Sequence, residues 1–312
     1  MNNICYIYGM KVLTEFNISD FDTVQQTYSK IINIKVSTNA FNYKEKSEII
    51  ENKISKIISY KNEKIFYYKT GIEMKITQDT IEMYCDDEND FPEKSELIYR
   101  ISMGNGLISL LRLNHKFVIH GTVISNKNNL YALIGKSGMG KSTFATYLVK
   151  KHNFELISDD KIVFNEKFKI LEGSKVVRLW NDSFKNIFKN IPANFVYHSL
   201  LGNNKKFINL ENCCYKNCFE EKKFKYNFIV LEKSEAKEFP KIEELNKFEL
   251  FCYIIKNIYD YDTLTKCELN KEILRVKEMI ENSAIKGYKL TYKHDYGQLD
   301  DIYKLINEVG DD

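Results

Sequence analysis

Proline is nearly missing from this chain, with 3 in 312 residues, and there are only 1 Trp and 5 His. So little proline excludes polyproline recognition segments and stiff Pro-rich linkers. No apolar run reaches the ~20 residues that cross a bilayer. The opening lacks a basic region followed by a long apolar stretch, so no signal peptide is expected. An excess of one charge is missing too. Against 43 Asp and Glu stand 46 Lys and Arg, a net charge of +3, too balanced for a protein that binds nucleic acid or a membrane surface. Neither internal repeats nor low-complexity linkers break the chain. Hydrophobic residues make up 44%, enough for a sizeable core, which excludes global disorder.

Cysteine occurs seven times, an odd number at irregular spacing. Free thiols in a reducing cytoplasm are the simplest reading. Cys213, Cys214 and Cys218 have no second pair or nearby His at ligand spacing, so zinc is not expected.

Two short strands flank Gly9, and residues 63–85 read as a β-meander with turns at Thr70-Gly71 and Gln78-Asp79. The acidic stretch 86–92 marks a boundary. It predicts an N-terminal β-rich domain over 1–95 and an α/β domain over 96–312. In the second, a helix is expected across 99–115, then strands at 117–124 and 130–134. A helix over 141–151 has Phe144, Tyr147 and Leu148 on one face. Strands follow at 154–158, 162–164 and 168–171, a strand at 228–231, helices near 248–260 and 270–284, and a strand at 288–292.

Gly135-Lys136-Ser137-Gly138-Met139-Gly140-Lys141-Ser142 fits G-x-x-x-x-G-K-[ST] at every fixed position. Backbone N–H groups must converge on phosphate oxygens, and side chains at the glycines would block the approach. The helix that follows adds its positive N-terminal end. Lys141 supplies a point charge for the β and γ phosphates, and the Ser142 hydroxyl can ligate Mg²⁺. The nucleotide-binding set is Gly135, Ser137, Gly138, Met139, Gly140, Lys141, Ser142 and Thr143. The match lies between a strand and an amphipathic helix, the context that separates a working loop from a chance one.

Asp159-Asp160 closes the strand after that helix. An Asp there can hold Mg²⁺, and a second carboxylate can accept the proton of an attacking hydroxyl. Asp-Asp-Lys is also ordinary turn chemistry. Its place one helix and one strand past Lys141 favours the functional reading.

These residues resemble the HPr kinase/phosphorylase family. That family carries a His-Gly before the loop (His120-Gly121), a Gly-x-Ser-Gly-x-Gly-Lys-Ser loop (Gly135 to Ser142) and an Asp-Asp pair (Asp159-Asp160). The resemblance implies an α/β phosphate-loop kinase domain of the HPr kinase and phosphoenolpyruvate carboxykinase type. It implies ATP or another nucleoside triphosphate with Mg²⁺, and a Ser hydroxyl as acceptor. Asp159 would be the base, Asp160 the metal partner with Ser142, and His120 a helper. A closer likeness is to the HPr-kinase-related proteins of peptide-modifying gene clusters, lasso peptides included. Their openings resemble Tyr6 to Glu15, and they carry a segment like Val177-Arg178-Leu179-Trp180. A peptide or small-protein substrate is therefore the implied partner. Because HPr kinases are typically hexameric, a homo-oligomer is also among the implied partners. The family's second signature, a Glu-Arg pair before a glycine, is not found. That leaves the residue neutralising the transferred phosphoryl group open among Arg178, Lys205 and Lys206. A metabolite kinase and a non-catalytic nucleotide-dependent assembly factor stay open as other readings. Trp180 reads as core or interface packing.

Overall fold

The computed structural model describes residues 3–15, 30–42, 47–60, 62–85, 97–188, 196–198, 205–210, 224–234, 240–282, 284–293 and 295–311. The acidic stretch 86–92, the cysteines at 213, 214 and 218, and His294 fall outside them. The chain is mixed α/β. Its contacts gather into two units, one made of Met1–Val118, Val163–Lys169 and Tyr259–Leu274, the other of Ile119–Ile162, Ile170–Ile258 and Arg275–Asp312.

The first unit holds strands β1 (Asn3–Ile7), β2 (Met10–Thr14), β3 (Lys30–Val36), β4 (Glu48–Glu51), β5 (Ser55–Tyr60), β6 (Glu63–Tyr68), β7 (Ile72–Ile76) and β8 (Thr80–Cys85). They form one sheet in the order β1-β2-β3-β8-β7-β6-β5-β4. Tyr8 and Gly9 join the first two strands with φ of +52° and +70°, the two-residue turn whose twist suits antiparallel neighbours. The predicted meander is present as β6, β7 and β8. Ile72, Met74 and Ile76 on β7 are buried, as are Ile81, Met83 and Cys85 on β8. This alternation is the period of a sheet covered on one face, and each such side chain contributes about 1.5–3 kcal/mol. The cover is a π-helical turn, Ser102–Gly106, running into helix α1 (Leu107–Leu113). A Cβ on Gly106 would stand 2.9 Å from the Met74 sulfur, so only glycine lets the turn lie this close. The helix expected across 99–115 is therefore interrupted, with Gly104 outside helical φ and ψ.

The second region begins with β9 (Phe117–Asn126) and β10 (Asn129–Ile134), a hairpin, then α2 (Lys141–His152), β11 (Glu155–Ser158), β12 (Lys161–Phe164) and β13 (Ile170–Leu171). Next come β14 (Val176–Trp180), α3 (Asn181–Ile187), β15 (Val196–His198), β16 (Lys205–Asn209), β17 (Lys225–Lys233), β18 (Lys241–Leu245), α4 (Lys247–Lys256), α5 (Lys266–Asn282), β19 (Ile285–Tyr292) and α6 (Leu299–Asp311). The main sheet runs β13-β12-β9-β10-β17-β19-β18, with β11 also paired to β9. Strand β10 is buried along its whole length and parallel to β17, which is parallel to β19. That arrangement needs apolar residues on both faces, which Leu130-Tyr131-Ala132-Leu133-Ile134 supplies. A small antiparallel sheet, β14-β16-β15, lies off this path. Phe144 and Leu148 of α2, Val177 and Leu179 of β14, Ile187 of α3, and Ile302 and Ile306 of α6 share one hydrophobic core.

Candidate functional site

The parallel strand β10 delivers the chain into the glycine loop at its C-terminal end, where α/β sheets place ligands. Gly135 has φ of +140°, and a Cβ there would stand 2.8 Å from the Leu231 carbonyl oxygen. Gly138 and Gly140 both have φ of +83°, and Gly140 caps α2 in the left-handed region. Helix α2 ends with Lys150, Lys151 and His152 in its last turn and Asn153 in a left-handed cap, so its charge distribution follows its dipole.

Lys141 opens the helix and is only 6% exposed. Its ammonium turns back onto the loop, donating to Gly135 O at 2.7 Å and Lys136 O at 3.1 Å. Burial lowers its pKa to about 8 against the attraction of Asp159 and Asp160. The loop is tied down from a distance as well. Asn257 Oδ1 accepts from Gly135 N at 3.2 Å across 122 positions of sequence, while its carbonyl accepts from His120 N at 2.7 Å. The Tyr292 hydroxyl donates to Met139 O.

The aspartates arrive on the turn between β11 and β12. Lys161 N donates to Asp159 O at 2.9 Å across Asp160, whose φ is +69°. This is a γ-turn of the positive-φ kind, which is strained for a residue with a side chain. Asp159, 5% exposed, accepts on Oδ1 from Ser142 Oγ at 2.9 Å and from Thr122 Oγ1 at 2.6 Å. Burial raises its pKa, partly offset by those two hydroxyls. Asp160 takes Lys161 Nζ at 2.7 Å. Burial alone would raise this carboxyl, but Lys161, Arg178 and His120 together hold it well below the usual carboxylate range. His120 Nδ1 lies 3.0 Å from the Asp160 carbonyl and 3.6 Å from its carboxylate. A carbonyl only accepts, so Nδ1 carries the proton. Burial and the nearby Lys141 lower the His120 pKa to about 4, leaving the ring neutral at pH 7.

These groups converge on a cleft of about 390 Å³. His120, Ser137, Gly138, Gly140, Lys141, Ser142, Thr143, Asp159 and Asp160 all line it, as do Thr122, Arg178, Trp180, Asp182, Ser183 and Lys205. Gly135 and Met139 are not among the described lining residues. The pairing expected from the resemblance differs from the one the hydrogen bonds make. Ser142 reaches Asp159 rather than Asp160, and His120 sits on Asp160 rather than Asp159. Trp180, expected in a core or interface, is 50% exposed at the cleft, with Lys205 Nζ 4.6 Å from its ring centre. Thr122 was within reach of sequence reasoning, since the period of a strand puts it on the face of His120. Asn257 carried no signal. Among the described residues no three or more His, Cys, Asp or Glu cluster for a metal. An ion held by one hydroxyl, one carboxylate, phosphate oxygens and water needs no such cluster. Among the described residues no helix is long and apolar enough to cross a membrane, and Cys252 and Cys267 are free thiols. No protein-family model matches the chain, and no curated protein matches it.

Proposed function

We propose that this protein is an ATP- and Mg²⁺-dependent kinase that phosphorylates a Ser hydroxyl of a peptide or small protein. The observation that carries the reading is the convergence on one cleft of the loop that opens α2, the Lys141 ammonium, the Ser142 hydroxyl and the two aspartates. The loop amides from Ser137 to Thr143 and the helix N-terminus suit a polyphosphate. Lys141, fixed at the loop by two carbonyls, supplies the charge for its β and γ groups. Ser142 Oγ and Asp159 Oδ1 are adjacent hard oxygen donors, the kind Mg²⁺ takes. These two residues would hold Mg²⁺, which would supply positive charge against the polyphosphate.

The remaining carboxylate, Asp160, takes the proton from the acceptor hydroxyl in this reading, with neutral His120 positioning it; the contacts of both residues support it. This exchanges the two roles the resemblance implies. A loose transition state leaves the protein little covalent chemistry, so positioning outweighs basicity. The acceptor class draws on the likeness of Tyr6 to Glu15 and Val177 to Trp180 to the HPr-kinase-related peptide kinases.

The test is transfer of labelled γ-phosphate from ATP with Mg²⁺ to Ser-containing peptides and to HPr, with Asp159→Asn and Asp160→Asn alongside. Label on a peptide Ser, lost in both variants, supports the reading. Asp160→Asn should keep Mg²⁺-dependent ATP binding and Asp159→Asn should lose it; the reverse would restore the roles the resemblance gives. Nucleotide bound with no acceptor labelled would refute the serine-kinase reading.

A further inference from the structure

Phosphoryl transfer spreads negative charge over three equatorial oxygens of the moving group. Beyond the single point charge of Lys141, the proposed reaction so far gives that charge no protein partner. Of the three basic residues the sequence leaves open, Lys206 does not line the cleft. Its ammonium stands 4.2 Å from the centre of the Phe184 ring. Lys205 lines the cleft, but its ammonium lies over Trp180. The lysines nearer the loop are engaged too, Lys141 by loop carbonyls and Lys161 by Asp160.

Arg178 differs from all of these. Strand β14 alternates, burying Val177 and Leu179 and turning Arg178 outward to line the cleft. Its guanidinium carbon lies 5.6 Å from the Phe207 ring centre, a loose contact that orients without consuming its donors. Its charge lowers the pKa of the Asp159 and Asp160 carboxyls from across the cleft, while among the described residues no salt bridge takes up its donors. A guanidinium offers a planar fork that can serve two phosphoryl oxygens at once, where an ammonium is a point charge.

We infer that Arg178 is the catalytic residue that neutralises the transferring phosphoryl group, an assignment that rests on the kinase reading. In the step, the acceptor oxygen bonds to the γ-phosphorus and the bond from phosphorus to the β–γ bridging oxygen breaks. The electron pair leaves on the nucleoside diphosphate, and the acceptor proton passes to Asp160. Arg178 meets charge that is greatest between these two states, so its contribution appears in turnover and not in ATP binding.

The experiment compares wild type, Arg178→Ala and Arg178→Lys for binding of MgATP, binding of MgADP with aluminium fluoride as a transition-state mimic, and turnover with a Ser peptide or water as acceptor. In Arg178→Ala, MgATP affinity should stay within about threefold, while mimic affinity and turnover fall by roughly 10²–10³. Lysine should recover only part of the loss. Equal weakening of MgATP and the mimic, or no weakening of either, overturns the assignment. Tight binding of the mimic that Arg178→Ala destroys, with no peptide labelled, keeps Arg178 in its role with water as acceptor and removes the serine-kinase reading. A wild type that binds no nucleotide overturns both.

Discussion

Replacing Lys141 with Met should make the protein more stable and unable to hold nucleotide. The ammonium is 6% exposed, and its pKa falls from 10.5 to about 8 because burial disfavours the charge. At about 1.36 kcal/mol for each pKa unit, that fall corresponds to a cost of about 3 kcal/mol for keeping Lys141 charged at pH 7. Methionine removes that cost but leaves Gly135 O and Lys136 O without their donor, which takes back about 2 kcal/mol. The net expectation at pH 7 is about 1 kcal/mol of added stability. The sign with pH follows from linkage. Between pH 8 and 10.5 the unfolded chain holds the proton that the folded one has released, so wild-type stability rises across this interval by about 3 kcal/mol from this group. The difference between wild type and Lys141→Met in urea midpoints at pH 7 and pH 10.5 isolates it. MgATP at about 100 times its Kd should stabilise wild type by about 2.7 kcal/mol and the variant not at all. A variant less stable than wild type at pH 7, one with the same pH rise, or one still stabilised by MgATP would refute the reasoning.

Gly135→Ala should abolish nucleotide binding and cost about 1–3 kcal/mol, since its Cβ would meet the Leu231 carbonyl at φ of +140°; unchanged ATP affinity would show that the loop tolerates a side chain. Asn257→Ala removes the acceptor for the buried Gly135 N–H and should cost about 1–3 kcal/mol together with ATP affinity, read by thermal melts with and without nucleotide; an unmoved melt counts against the tie. In the first unit, Lys64 is 4% exposed and pairs with Glu268 at 3.0 Å. Burial lowers its pKa, so its destabilising effect is relieved as pH rises through that lowered value toward 10.5. Glu268→Gln strands the cation and should cost about 1–3 kcal/mol, more than Lys64→Met; urea midpoints in the opposite order would sink this account.

What the sequence made legible follows its local rules. The glycine loop, its strand and its helix form one run, so periodicity and motif find them together. The meander from Glu63 to Cys85 is equally local, with alternation and turn residues agreeing. The small sheet was not legible, because β14 and β16 pair across 25 or more positions and the outward Arg178 and Trp180 look like surface residues until the register sets them at the cleft. Helix α6 shows its pattern at Leu299, Ile302, Ile306 and Val309, but the 3-10 turn Tyr296–Gln298 runs directly into it and blurs its start. The different partners of Asp159 and Asp160 turn on a backbone conformation. The positive φ of Asp160 sends two adjacent carboxylates to different partners, which residue identity alone cannot foretell.

Every described residue that lines the cleft, apart from Lys205, falls between His120 and Ser183, and all of them belong to the second unit. A site written in one short run of a gene passes between lineages as a piece, by duplication or recombination, without the rest of the chain travelling with it. The eight-stranded sheet of the first unit supplies none of the described lining residues. Drift in the N-terminal sheet can therefore proceed while the described lining of the cleft, from His120 to Ser183 with Lys205, keeps its residues.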